Sequence, residues 1–188
     1  MVGGWWSKAR RVDSPNFDAR PADAVVDLLV LHNISLPPEQ FGGGEIERFL
    51  TNRLDAWAHP YFAGIADIRV SSHFVIDRRG EVLQFVSCED CAWHAGQSDF
   101  LGRARCNDFS IGVELEGSDT QPFTDAQYAQ LAHLSWALLA HYPIAAVAGH
   151  TDIAPQRKTD PGPHFDWARY ASQTGLAHDF FPYGLAAR

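Results

Sequence analysis

The chain of 188 residues predicts one α/β (α+β) domain, a central mixed β-sheet flanked by helices. Three observations lead there. The length suits one packed core and is short for two. Hydrophobic residues at 46% against 20% charged exclude the disordered class, and no run nears the roughly 20 apolar residues of a membrane span. Short apolar or alternating runs are interspersed with helical periodicity, with no internal repeat and no linker.

Taken in order, Trp5 to Arg11 reads as one amphipathic turn, closed by Ser14-Pro15. Val25 to His32 is nearly all apolar, the pattern of a central strand covered on both faces. Pro37-Pro38 and Gly42-Gly43-Gly44 enforce a loop before a short helix over Glu45 to Leu50. Ile68 to Asp77 alternates, Arg79-Gly80 turns, and Glu81 to Val86 returns, which predicts a hairpin. Phe109 to Leu115 alternates again, with Phe109, Ile111, Val113 and Leu115 inward and Ser110, Gly112, Glu114 and Glu116 on the other face. Thr124 and Gln127 form a capping box for a helix from Asp125 to His141, stopped by Pro143. Ala145 to Gly149 is a short strand leading to His150, Thr159 to Pro163 is a Pro/Gly loop, and Phe165 to Ser172 is a last helix. The segment after Thr174 carries no clear signal.

Net charge of −8 argues against a nucleic-acid binder or a basic membrane anchor. No apolar signal segment follows Lys8, and three cysteines close no disulfide set, so a reducing cytoplasm is expected. Nine histidines stand against two lysines, Lys8 and Lys158. His32 and His150 each follow an apolar strand, where ligands bind in open α/β sheets. With Asp160, held in a Pro-bracketed turn, they match a catalytic zinc site with one position open. The same ligand types suit a non-haem iron centre, so spacing alone leaves metal and reaction open. Each His could equally be a strand-end residue with a satisfied hydrogen bond.

Glu114 and Glu116 share a face and are candidates for a general base, or else form a solvated acidic strand face. Gly112 beside them permits close approach of another group, which favours a cleft. Lys158, beside Arg157, could place an ammonium near a developing oxyanion. Trp93-His94-Ala95-Gly96 suggests a groove wall. Cys88-x-x-Cys91 lacks a second pair for structural zinc and a βαβ context for redox, so Cys88, Cys91 and Cys106 read as structural or incidental.

An ordered set of strings then carries a resemblance: His32-Asn-Ile-Ser-Leu-Pro-Pro, His59-Pro-Tyr-Phe-Ala-Gly, Arg69-Val-Ser-Ser-His-Phe, Trp93-His-Ala-Gly, Cys106-Asn-Asp-Phe-Ser-Ile-Gly-Val-Glu-Leu-Glu-Gly, Gly149-His, Ile153-Ala-Pro and Arg157-Lys-Thr-Asp-Pro-Gly-Pro. Together they resemble the AmpD-like N-acetylmuramoyl-L-alanine amidases, part of a superfamily with peptidoglycan recognition proteins. The motifs span about 25–170 of one amidase domain over 1–188, and the tail from Ala171 to Arg188 matches none. The resemblance implies a mixed sheet flanked by helices and Zn2+ held by His32, His150 and Asp160. It implies Glu114, rather than Glu116, as acid/base and Lys158 as oxyanion partner. Tyr61 is implied in support of the site, and Asn33, Arg69, His73, Trp93 and Arg105 as substrate contacts, with the two arginines on stem-peptide carboxylates.

The activity it implies is hydrolysis of the bond between the muramoyl lactyl carbonyl and L-alanine, in 1,6-anhydro-muropeptides, during cytoplasmic wall recycling. The implied partner is that small-molecule substrate alone, bound by a monomer, with no nucleic acid and no membrane. A peptidoglycan-recognition module without catalysis typically lacks a metal ligand, whereas here the set is complete. An iron oxygenase fits the ligand types but not the surrounding strings. The triple glycine is expected to make an entrance loop mobile.

Overall fold

The computed structural model describes residues 1–188. Its strands are β1 (Arg10–Arg11), β2 (Phe17–Ala19), β3 (Leu28–Ile34), β4 (Phe74–Ile76), β5 (Val82–Gln84), β6 (Asp90–Ala92), β7 (Asp99–Phe100), β8 (Arg103–Ala104), β9 (Ser110–Glu116) and β10 (Ala146–Gly149). Its helices are α1 (Glu45–Leu50), α2 (Asp125–Leu139), α3 (His150–Ile153) and α4 (Trp167–Thr174). The main sheet runs β1-β5-β4-β9-β3-β10, with only β4–β5 antiparallel, and two small ribbons pair β2 with β6 and β7 with β8. The expected mixed sheet in a single α/β domain is what forms.

Two seven-residue strands, β3 and β9, lie at its centre in parallel register from Leu28↔Ser110 to Ile34↔Glu116. Period-2 alternation assigns their faces. Leu29, Leu31, Ile111, Val113 and Leu115 join Tyr128, Leu131, Leu134 and Leu138 of α2 and Trp167 and Tyr170 of α4 in one core. Leu28 and Val30 face the other way, with Ala146 and Ala148 of β10. His32 and Glu114 share that second face.

Several boundaries differ from the sequence reading. The apolar run marks neither burial nor pairing at its start: Val25 is exposed, and β3 starts at Leu28 and continues past His32 to Ile34 because β9 pairs that far. His32 is thus inside its strand, not at its end. Phe109 leaves the alternation: its backbone is not extended, and the ring packs with Leu28 and Val30. Before β4, side chains replace the ladder, with Ser71 Oγ donating to the Asn16 carbonyl and Ser72 Oγ to that of Gly112, so the hairpin is shorter than its alternating pattern. Trp5 to Arg11 is not helical. Trp6 is buried with its amide on Gln84 Oε1 at 2.8 Å, and Arg10–Arg11 adds an edge strand.

α1 has the expected bounds. α2 forms with both halves of its capping box, Gln127 N to Thr124 Oγ1 at 3.2 Å and Thr124 N to Gln127 Oε1 at 3.0 Å. It stops two residues early, where the Tyr142 amide turns back to the Leu138 carbonyl. Gln127 is also fully buried and its amide group donates to the carbonyls of Ile76 and Glu116, tying α2 to β4 and β9. α4 begins at Trp167 because Asp166 caps it, accepting from the Arg169 amide at 2.8 Å.

The segment after Thr174, unassigned from sequence, packs into the main core. Phe181 is 1% exposed and meets Trp167 and Tyr170 edge-on at 6.3 and 6.0 Å. Its apolar residues do not recur at helical or strand spacing, which is why no signal was visible. Phe181→Ala is expected to lower unfolding free energy by about 3–5 kcal/mol, read as a lower urea midpoint with unchanged far-ultraviolet circular dichroism.

Candidate functional site

Parallel pairing sets His32 beside Glu114 across β3 and β9. The third strand, β10, ends at Gly149, and His150 opens α3 directly after it. Asp160 reaches the same place from its turn, whose carbonyl accepts the Thr151 amide at 2.9 Å. A Cβ at Gly149 would stand 2.8 Å from Pro161 Cδ, so glycine there lets the Asp160-Pro161 turn close onto the strand end.

Three donor atoms converge. His32 Nδ1 lies 3.0 Å from His150 Nδ1, and Asp160 Oδ2 lies 2.9 and 3.0 Å from the two nitrogens. The outer nitrogens decide what these atoms carry. His150 Nε2 faces the Ala95 carbonyl at 3.1 Å, an acceptor only, so that nitrogen holds the proton and Nδ1 a lone pair. On the other side, Ser110 Oγ donates to the Cys106 carbonyl and accepts from His94 Nε2 at 3.1 Å. His94 Nδ1 is then the acceptor for His32 Nε2–H at 3.0 Å, which leaves His32 Nδ1 bare as well. Two lone pairs and a carboxylate oxygen about 3 Å apart repel one another unless a positive charge lies among them. This donor set fits a divalent metal of borderline softness.

Burial shapes the protonation of the site. Burial, with His150 alongside, pushes His32 down to about 4. Glu114 is raised well above the usual carboxylate value by burial and then by Asp160, with Lys158 opposing. Its Oε2 is buried without a hydrogen-bond partner. Glu116, on the same strand face, is turned away: its carboxylate accepts the amides of Gly42 at 2.6 Å and Arg78 at 3.1 Å. It therefore anchors the glycine loop that the sequence suggested as a mobile entrance.

The cleft over these groups has a volume of about 280 Å³. Glu114, His150, Lys158 and Asp160 lie among its lining residues, with Leu36, Phe49, Ile65, Ile68 and Val70 as apolar walls. Asn33, Tyr61 and Trp93 also line it. Asn33 Nδ2 donates to Asp119 Oδ1 and to the Pro161 carbonyl at 2.8 and 3.0 Å, bracing the Asp160 turn. Arg69 lies on an adjoining depression with Trp93, Arg157 and Lys158. Arg105 is exposed, ion-paired with Asp108 at 2.8 Å, and does not line the cleft.

His73 is not a cleft residue either. It is fully buried behind the site, where Nδ1 accepts the Gly112 amide and Nε2 faces the Asp90 carbonyl. Its strand position implied the polar face but not the depth. The His94–Ser110 chain was the feature sequence reasoning missed. Gly112 was its signal, since a Cβ there would stand 2.5 Å from His94 Cγ. The cysteines are free and buried, and burial pushes the Cys91 thiol up to about 11 and Cys88 higher still.

The family model for N-acetylmuramoyl-L-alanine amidase (Amidase_2) matches residues 22–163. The chain is 59% identical over 169 residues to the 1,6-anhydro-N-acetylmuramyl-L-alanine amidase AmpD of Citrobacter freundii, covering 89% of this chain and 90% of that protein. It is 58% identical over 169 residues to AmpD of Escherichia coli K12, covering 89% and 92%. A crystal structure of a selenomethionine AmpD derivative superposes with TM-score 0.90 at 57% identity, covering 92% of this chain and 98% of that one. The amidase AmiD of E. coli, in complex with anhydro-N-acetylmuramic acid-L-Ala-D-γ-Glu-L-Lys, superposes with TM-score 0.60 at 32% identity, covering 84% and 61%.

Two outcomes follow from the packing behind His32. Gly112→Ala is expected to displace the His94 ring, costing about 1–3 kcal/mol of stability and weakening divalent-metal binding, measured by urea unfolding and chelator competition. The folded-state values of His32, about 4, and His73, about 3, lie below the ordinary 6.5, as does that of His94, so the unfolded chain takes up protons first as pH falls. Glu114 opposes this above its ordinary value of 4.5, one group against three. The urea midpoint of the metal-free protein should therefore fall between pH 6.5 and 4.5; a flat or rising profile contradicts the assignment.

Proposed function

The chain belongs to the N-acetylmuramoyl-L-alanine amidase family and is a hydrolytic enzyme of that class; from this premise we propose that it is a zinc enzyme cleaving the bond between 1,6-anhydro-N-acetylmuramoyl and L-alanine. The single observation carrying the proposal is the convergence of His32 Nδ1, His150 Nδ1 and Asp160 Oδ2 at about 3 Å, with Glu114, whose Oε2 is buried, next to His32 across the sheet. The anhydro-sugar preference rests on the names and identities of the AmpD relatives.

His32, His150 and Asp160 would hold the ion. When bound, zinc supplies a Lewis acid for the amide carbonyl and lowers the pKa of a water molecule. Glu114 is the proton carrier. Its buried carboxylate takes a proton from the attacking water and returns it to the departing amine of L-alanine, and burial brings its affinity for protons nearer to that task. Lys158, on the cleft wall, donates to the oxygen that gains charge at the former carbonyl. The apolar wall around Phe49, Ile65 and Ile68 excludes water from the rest of the substrate.

Tyr61, Asn33 and Trp93 are proposed as substrate or site supports from the cleft wall, and Arg69 as a carboxylate partner on its adjoining depression. Arg105 and His73 would act only indirectly, Arg105 from outside the cleft and His73 through Gly112 and the ring of His94. Action as a monomer on a small muropeptide is part of the same proposal. No helix is long and apolar enough to cross a membrane. Three free thiols fit a reducing compartment, in support of a cytoplasmic recycling role.

Glu114→Gln is expected to keep stoichiometric zinc while losing about 10²–10⁴ in turnover, and Asp160→Ala to lose both. The measurements are metal content and release of peptide from anhydro-muropeptide, compared with intact polymeric wall. Undiminished turnover in Glu114→Gln would sink the proton-carrier assignment.

A further inference from the structure

We propose that the segment after α4 is a strap on the helix bearing His150, and that Arg188 is a positioning residue for that ligand, acting through Asp152; this rests on the zinc reading above. α3 is a single turn of four residues, too short to keep its own shape. What holds its start is Asp152, whose Oδ2 accepts the Gly149 amide at 2.7 Å, one residue before His150. The other oxygen of the same carboxylate accepts Arg188 Nε, also at 2.7 Å. The two side chains are only 5% and 19% exposed, so this ion pair is shielded from solvent far more than an ordinary surface pair.

The arginine is held from both sides. Its guanidinium lies 4.1 Å from the centre of the Trp167 ring, and Nη1 donates to the Gly184 carbonyl at 2.8 Å. The same Trp167 ring backs Gly149, with Cζ2 3.4 Å from the place a Cβ would take. A continuous path of contacts therefore runs from the strap through Arg188 and Asp152 to the backbone entering His150. The strap has its own anchors, Phe181 in the core and Tyr183 against Phe100 at 6.2 Å. Changing Arg188 leaves those in place, so its effect on the ligand separates from its effect on the fold.

Without Arg188, Asp152 is a buried carboxylate with one amide partner. It rotates towards water, and the clamp on Gly149 slackens. The Ala95 carbonyl still holds His150 Nε2, but the backbone under the ring is no longer fixed.

The test uses the full chain stripped of metal and titrated with Zn2+ in competition with a chromogenic chelator, alongside urea unfolding of the metal-free protein. Arg188→Ala and Asp152→Asn are each expected to weaken Zn2+ affinity about tenfold, and the double variant no further, because both act through one clamp. The Co2+-substituted single variants should also show a shifted visible absorption band, which a change in stability alone would not produce. Wild-type Zn2+ affinity in Arg188→Ala, or losses that add in the double variant, would overturn the strap alone. A wild-type chain that binds no Zn2+ would overturn the zinc reading and the strap together.

Discussion

Three lone-pair-bearing atoms, two imidazole nitrogens and one carboxylate oxygen, are held about 3 Å apart with their outer partners already satisfied. Much of the structure serves to keep that arrangement in place. The β3–β9 register sets His32 beside Glu114, β10 delivers His150, and the Asp160 turn is bound to the Thr151 amide and braced by Asn33. Behind His32, His94 and Ser110 pass a single hydrogen-bond polarity from the Cys106 carbonyl to the ligand ring. The arrangement is preorganised for the proposed ion: neither His32 nor His150 has to change tautomer to take one up.

Depth gives each charged group its role. Asp160 Oδ2 faces two imidazole nitrogens at 2.9 and 3.0 Å, whereas Glu114 has no partner for Oε2 and its proton affinity is raised by burial. Glu116, two residues on, is the counterexample. The same side-chain type on the same strand face becomes a structural acceptor because two loop amides reach it. Local hydrogen bonding, rather than residue type or strand position, separates the two glutamates.

That distinction shows what was legible in the sequence. Strand alternation gave the correct face for Ile111 to Glu116, the capping box placed the start of α2, and the ordered motif strings pointed to the residues that now converge. Long-range geometry was not legible. Nothing local to His73 tells that it lies behind His94 rather than in the cleft, and nothing near Arg105 tells that it pairs with Asp108 outside it. Phe109 left its pattern because a preceding turn broke the extended backbone. The strap around Phe181 and Arg188 has no periodicity because its anchors contact α4 and α3 singly, not as one face of a regular element.

Anomalous diffraction at the zinc edge, on crystals grown with one equivalent of Zn2+, locates the proposed ion among these three atoms. One peak within about 2.0–2.2 Å of His32 Nδ1, His150 Nδ1 and an Asp160 oxygen is the expected result. No peak there, or a peak between Cys88 and Cys91 instead, would rule out zinc at these three atoms.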